Sequence, residues 1–293
     1  MDIRDVLSSE EIFLQSKEVL IEPLNGGFSN ETYLATAGGV KYVVKLNYPQ
    51  NKYFGLSRKT ERSAQNLAAD LGISPRVYGD IFNENYTIAE YVPGRIMTGD
   101  EVKQEDNIIK IAQILKKIHS IEYPDRICSV FDLLEGYLKG MKEFKVKEPE
   151  GLKDILIEME HIRARREKDK SNNYRYTHND ILDLNLIING DIISVIDWEL
   201  SGVGDPYMDL ASLPYSSGFQ KEQEILLLKE YFGYYEEDMY YHLKSLKYIG
   251  LVREVLWALF YGGLQLKSVN HDMDYYGAAN YALDRLKQGF LSF

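Results

Sequence analysis

The 293-residue sequence has a single cysteine, Cys128. One thiol cannot close an internal disulfide, and no second thiol stands ready to share a metal with it. Positive charge is also short, with 34 Lys and Arg against 45 Asp and Glu and a net charge of -11. A protein that holds nucleic acid through counterion release needs a basic face, which this chain would have to build against its own mean field. Its one basic tract, Arg163, Arg165, Arg166 and Lys168, reads as a solvated helix face. No apolar run nears the roughly 18 residues of a membrane span. Met1 to Glu10 carries charges where a signal core would be apolar. Internal repeats and low-complexity linkers are missing as well. These exclusions predict a protein of a reducing cytoplasm, with no nucleic acid and no membrane insertion among its partnerships.

What is present suits a folded chain with a substantial core, at 45% hydrophobic and 27% charged residues. Its length suits two lobes that share a cleft. The first ninety residues are strand-rich. Tyr33–Ala35 and Lys41–Leu46 are β-prone runs separated by Gly38-Gly39, as in a hairpin. Ala64, Leu67, Ala68 and Leu71 recur at helical spacing, and Gly72 stands at the expected C-terminal cap. Tyr86–Val92 reads as a further strand, ended by Pro93-Gly94. Beyond it the pattern turns helical. Ile108, Ile111, Ala112, Leu115 and Ile118 form one apolar stripe, and 150–166 and 225–264 are predicted helical. One β-prone island, Leu186–Trp198, interrupts this region and is itself broken by Asn189-Gly190, a hairpin signal.

Acidic motifs cluster around that island: His178-Asn179-Asp180 followed by Asn185, then Ile196-Asp197-Trp198. With 5 His, 20 Asp and 15 Asn in the chain, chance expects only about 0.02 copies of His-x-Asp-x4-Asn when matches are counted. Phosphoryl transfer needs a carboxylate to orient the attacking hydroxyl, a second carboxylate to hold magnesium, and a neutral oxygen ligand that adds no charge. Asp180, Asp197 and Asn185 suit those roles in that order. His178 suits support of the loop by hydrogen bonding. Upstream, Asn25-Gly26-Gly27-Phe28-Ser29-Asn30 is glycine-rich enough for backbone amides to approach phosphates. It precedes a strand carrying Lys45, and Glu61 follows near a helix start. That order matches a strand lysine held by a helix glutamate while it contacts nucleotide phosphates.

The stretch from Thr177 to Asn185, followed by Ile196-Asp197-Trp198-Glu199 through Gly204-Asp205-Pro206 to Asp209-Leu210, resembles the choline/ethanolamine kinase family. That family lies in the aminoglycoside-phosphotransferase-like branch of the protein-kinase-like fold. The likeness runs from Gly26 to about Leu286 and is strongest over residues 177–210. His-Asn-Asp and Asp-Trp-Glu look like the motifs of choline kinases, whereas antibiotic phosphotransferases more often show His-Gly-Asp and Asp-Trp-Gly or Asp-Phe-Gly.

The resemblance implies an α+β, two-lobed fold. An N-terminal nucleotide lobe (1–92) would carry an antiparallel sheet and one helix, and a helical substrate lobe (93–293) the catalytic loop. It implies ATP held by Gly26, Gly27, Ser29, Asn30, Lys45 and Glu61, with adenine against the backbone near Glu90 and Val92. Mg2+ would bind Asn185 and Asp197, and Asp180 would orient the alcohol. A quaternary ammonium makes no hydrogen bond and is recognised by aromatic faces with a carboxylate nearby. Trp257 and Phe260 fall where the family has two tryptophans three residues apart, and Tyr276 falls on another aromatic position. Glu199 is expected to face the cleft. Ala278 stands where eukaryotic relatives often carry tyrosine. Choline is the implied substrate, with ethanolamine, an aminoglycoside or thiamine as alternatives and a catalytically silent nucleotide-binding protein as the rival of another class. A homodimer stays open. Asp209 is expected to brace the catalytic loop, and Asp205 to be structural.

Overall fold

The computed structural model describes residues 2–24, 30–47, 57–80, 83–122, 128–169, 173–264 and 274–289. Two short helices, α1 (Ile3–Ser9) and α2 (Glu11–Leu14), precede β1 (Val19–Leu24), β2 (Asn30–Ala37) and β3 (Val40–Asn47). Helix α3 (Arg58–Asp70) follows, then β4 (Val77–Tyr78) and β5 (Tyr86–Glu90). The five strands form one antiparallel sheet in the order β1-β2-β3-β5-β4. Gly38 (φ 57°) and Gly39 (φ 83°) turn the β2–β3 hairpin; two consecutive left-handed residues give the turn whose twist matches the strands. On β3, Val44 and Leu46 are buried in the core. Strand alternation therefore sends Lys45, between them, to the opposite face. Arg62 of α3 donates to the carbonyls of Asp80, Asn83 and Tyr86 and so ties the helix to β5.

The rest is mostly helical. Strand β6 (Arg95–Ile96) leads to α4 (Glu105–Ile118), α5 (Val130–Glu143) and α6 (Leu152–Lys168). Then come β7 (Arg175–Thr177), β8 (Leu186–Asn189), β9 (Ile192–Val195) and β10 (Gly202–Gly204). Helices α7 (Pro206–Ser217), α8 (Lys221–Phe232), α9 (Glu237–Gly263) and α10 (Tyr275–Gly289) complete the order. The expected hairpin is β8–β9, turning at Gly190 (φ 58°), with β6 on its other edge. The antiparallel sheet followed by a helical region is the α+β, kinase-like arrangement expected.

The run 225–264 is helical as expected and is divided in two, because Gly233 (φ 82°) caps α8 in a left-handed conformation before α9 begins. One expectation changes. The basic tract is not uniformly solvated. Arg163 and Arg165 do pair with surface glutamates, but Arg166 is only 4% exposed and its Nε donates to Asp205 at 2.8 Å. A guanidinium on the inner face of α6 is tolerated because a carboxylate meets it there.

The core of the helical region forms around α9, where Leu246, Ile249, Val252, Val255, Leu256, Leu259 and Phe260 are buried. Gly250 lets α7 lie close: a Cβ there would stand 2.3 Å from the Tyr215 ring. Gly250→Ala should therefore destabilise the fold by about 1–3 kcal/mol through overpacking. Urea unfolding of the two proteins measures it, and equal midpoints would show the interface to be loose.

Candidate active site

The catalytic-loop motif lies between β7 and β8. Asn179 adopts φ 63°, a left-handed conformation to which asparagine is well suited. Three interactions hold it there. Its Nδ2 donates to the carbonyls of Leu200 (2.9 Å) and Cys128 (3.3 Å), and its Oδ1 accepts from Thr177 Oγ1 (3.0 Å). Asp209, 1% exposed on α7, receives the backbone N–H groups of Asn179 (2.6 Å) and His178 (2.8 Å). His119 Nε2 donates to the same carboxylate at 3.0 Å, and its Nδ1 accepts from Tyr231 Oη at 2.6 Å.

His178 acts within the protein. Its Nε2 donates to the Ile196 carbonyl (3.1 Å), its Nδ1 accepts the Asp180 N–H (3.3 Å), and its ring meets Trp198 edge-on at 4.7 Å. Burial pushes its pKa down, which favours the neutral ring this bonding requires. Asp205 caps α7, accepting the Tyr207 N–H at 3.0 Å while it holds Arg166.

These braces aim two side chains at the cleft. Asp180 Oδ2 accepts from Asn185 Nδ2 at 2.9 Å, and its Oδ1 from Arg253 Nη2 at 2.7 Å. Because Asn185 spends its amide nitrogen on Asp180, its oxygen is the atom that could meet a metal. Asp197 follows β9 in a left-handed conformation (φ 68°) and forms an ion pair with Lys45 at 2.6 Å. Burial opposes both charges. The pair outweighs it, holding Asp197 below the usual carboxylate range and Lys45 above its ordinary value.

Glu61 does not tether Lys45 as the spacing predicted. It pairs with Arg58, one helical turn away on α3, and Arg58 also lies 3.5 Å from Glu199. Lys45 reaches across to Asp197 instead, with Glu61 and Glu199 contributing at longer range. The result is a cluster of two cations and three carboxylates. Glu199 is its unbalanced member. Its Oε2 is buried without a hydrogen bond, and burial together with Asp197 pushes its pKa up to about 7. Among the described residues no three His, Cys, Asp or Glu side chains gather as a preformed metal site. A carboxylate oxygen with no hydrogen bond, met only by the Arg58 charge at 3.5 Å, nevertheless fits a divalent cation that brings oxygen ligands from a bound phosphate chain.

Gly26, Gly27 and Ser29 lie outside the described residues, and Asn30 opens β2. Glu90 ends β5, with its N–H on the Arg76 carbonyl (2.8 Å), and the Tyr91 N–H meets the Lys41 carbonyl (3.3 Å). Val92 comes next, at the connection between sheet and helices.

The aromatic residues divide. Trp257 is half-buried, with ring centroids 5.4 Å from Tyr261 and 5.7 Å from Tyr275, and Tyr261 stacks on Tyr275 at 6.3 Å. Tyr276 lies against Gly262 and is 47% exposed. Phe260 departs from expectation. It is fully buried against Tyr137 and Phe144, on the core face of α9, where no solute reaches it. Its packing is tight enough that a Cβ on Gly140 would clash with it. Tyr137 packs on Phe260 with ring centroids 5.6 Å apart. Its hydroxyl is pushed well up, foremost by burial, and it feels Tyr261, Arg253, Asp180 and Glu199 together. Sequence reasoning missed Arg58 and Arg253. Arg253 had a signal, since a charge among Leu251, Val252, Val255 and Leu256 needs a buried partner.

The sequence profile described as the phosphotransferase enzyme family matches residues 20–245. The chain is 25% identical over 278 residues to the LicA protein of Haemophilus influenzae, covering 90% of this chain and 77% of that one. Its fold matches a choline/ethanolamine kinase family protein of Mesorhizobium loti with a TM-score of 0.79, 23% identity, and 97% and 92% of the two chains covered. The choline kinase LicA of Streptococcus pneumoniae matches with a TM-score of 0.76, 22% identity, and 97% of each chain. The chain thus belongs to the phosphotransferase enzyme family, and its fold is that of the choline/ethanolamine kinase relatives it matches. It is a phosphate-transferring enzyme.

Glu199 supplies a pH test. A carboxyl whose folded pKa is raised binds its proton more tightly when folded, so its contribution is full below about pH 4.5 and is lost as pH rises through about 7. Glu199→Gln should remove that loss, giving melting temperatures that fall less than those of the parent between these pH values. Parallel curves would show that Glu199 is not buried beside Asp197.

Proposed function

We propose that this enzyme transfers the γ-phosphoryl group of ATP to the hydroxyl of choline, giving phosphocholine and ADP. One observation carries the reading: Asp180, paired with Asn185, is held by Arg253 of α9, the same helix that four residues later carries Trp257 of the aromatic cluster, while Lys45 pairs with Asp197. These two pairs are the apparatus of phosphoryl transfer. Aromatic faces suit a cation that makes no hydrogen bond. The names borne by the LicA choline kinase and the choline/ethanolamine kinase relative point the same way.

In this reading residues 1–92 form the nucleotide lobe and 93–293 the substrate lobe, in a cytoplasmic protein. Gly26, Gly27, Ser29 and Asn30 would donate to phosphates, and adenine would lie near Glu90 and Val92. Lys45 would exchange part of its interaction with Asp197 for phosphate oxygens. Asn185 and Asp197 would hold Mg2+, with Glu199 at the edge of the same space. When bound, the ion neutralises the phosphate chain.

Asp180 orients the alcohol. The hydroxyl oxygen attacks the γ-phosphorus, the bond to the bridging β–γ oxygen breaks, and ADP departs. The proton leaves late to Asp180, so a carboxylate held by Arg253 and Asn185 is base enough for a loose transition state. Trp257 and Tyr276 would face the ammonium group, whereas Phe260 supports them from the core. Ala278 leaves part of the aromatic surround open, which favours ethanolamine as the second substrate to test.

Purified protein offered choline, ethanolamine, thiamine and an aminoglycoside should turn over choline with the highest kcat/KM. A clear preference for another alcohol would replace choline in this scheme. Asp180→Ala should lower kcat by about 10²-fold or more while nucleotide binding, followed by calorimetry, stays intact; unchanged turnover would refute its role. Trp257→Leu should raise the KM for choline by about 2- to 30-fold, the range of one cation–π contact, and affect an uncharged alcohol less.

A further inference from the structure

We infer that Arg253 is a positioning residue for the transfer reaction: it fixes the carboxylate of Asp180 and sets how far that carboxylate lies from the aromatic cluster. The inference rests on Asp180 serving the alcohol, as proposed above, but not on the alcohol being choline.

Arg253 is 6% exposed on α9, and its guanidinium reaches three partners. Nη2 donates to Asp180 Oδ1 at 2.7 Å and to Tyr215 Oη at 2.7 Å, and Nη1 donates to the Asn179 carbonyl. It therefore grips both the backbone and the side chain of the loop. Asp180 Oδ2 is meanwhile engaged by Asn185 at 2.9 Å. With one donor on each oxygen, the carboxylate plane is fixed while lone pairs remain for an incoming hydroxyl. A lone asparagine contact would leave the side chain free to turn about its last bond.

Tyr215 makes the grip rigid. It is 1% exposed, its ring lies on Gly250 one turn earlier in α9, and its carbonyl accepts from Arg285 of α10. The guanidinium is thus held by α7 and α9 and cannot follow Asp180 into other rotamers.

Arg253, Trp257 and Tyr261 recur every four residues, so they share one face of α9, with successive residues rising about 6 Å along the axis. Trp257 and Tyr261 carry the aromatic cluster, and Arg253 carries the carboxylate. One rigid helix therefore sets the span between a stacked head group and the reacting hydroxyl. A short amino alcohol fits such a span. Glu254, next in sequence, lies 3.9 Å from Arg285, and burial pushes its pKa up. It and Asp180 offset the Arg253 charge next to a cationic substrate.

The test is a double-mutant cycle on the full-length enzyme, using whichever alcohol the parent phosphorylates and radiolabelled γ-phosphate for the slow variants. Arg253→Met should lower kcat by about 10²-fold, the cost of a misplaced reacting group, with the KM for ATP within about twofold. In an Asp180→Ala background the same substitution should cost less than about threefold, because coupled residues do not add. Equal losses in both backgrounds would overturn the proposal and make Arg253 a structural residue only. So would a kcat for Arg253→Met close to that of the parent. Should Arg253→Met fail to fold, Arg253→Lys keeps the charge on a single donor nitrogen without the guanidinium fork, and the same cycle decides. If choline fails as substrate while another alcohol is turned over, the choline reading falls and this test still runs.

Discussion

A single buried carboxylate, Asp209, determines the path of the catalytic loop. It accepts the N–H groups of His178 and Asn179 and is held from behind by His119, which Tyr231 orients. Buried backbone donors must be paired, and on this loop no strand or helix is available to pair them. Asp209 does so from the first turn of α7, whose start is fixed by the Asp205 cap, itself anchored to α6 through Arg166. The left-handed turn at Asn179 follows, and with it the direction in which Asp180 leaves the backbone. The loop is a product of helix packing, and its geometry is only as good as the seating of α7 against α4, α6 and α9.

The cleft itself is built from charge that does not balance. Lys45 and Arg58 face Asp197, Glu61 and Glu199, and the surplus carboxylate keeps an oxygen without a hydrogen bond. Burying an oxygen without a hydrogen bond is costly, and the Arg58 charge at 3.5 Å is its one ion-pair partner among the described residues. A site that takes up a cation with its substrate has a use for such an oxygen. The mutual pairing of Lys45 and Asp197 has the same meaning. Each satisfies the other here, and each has a chemistry that suits it to a phosphate or to a metal. On the far side Arg253 stands one turn before Trp257 on α9, so acidic and aromatic halves are parts of one packed body.

The fold was legible in the sequence where pattern is local. The β2–β3 hairpin declared itself through Gly38-Gly39, the β8–β9 hairpin through Asn189-Gly190, and α4 through its apolar stripe. The polar motif was legible because Asp180 and Asn185 sit at a fixed offset, and the loop bracing by Asp209 was foreseen from the same stretch. What escaped depends on distance in sequence. Glu61 was paired with Lys45 by order alone, whereas the folded chain offers Arg58 three residues away. Phe260 was grouped with Trp257 by resemblance to the family, but positions three apart on α9 point to different neighbours, one to the cluster with Tyr275 and the other to Tyr137 and Phe144. Arg166 looked like a surface charge because Asp205 is 39 residues downstream. Arg253 meets Asp180 across 73 residues, which no window can see.

The most direct measurement of the central claim is a crystal structure with a non-hydrolysable ATP analogue, Mg2+ and choline bound. The account predicts the choline hydroxyl within about 3 Å of Asp180, the trimethylammonium group against Trp257, and the metal between Asn185 and Asp197. A head group bound away from Trp257, or a hydroxyl that approaches a residue other than Asp180, would contradict it.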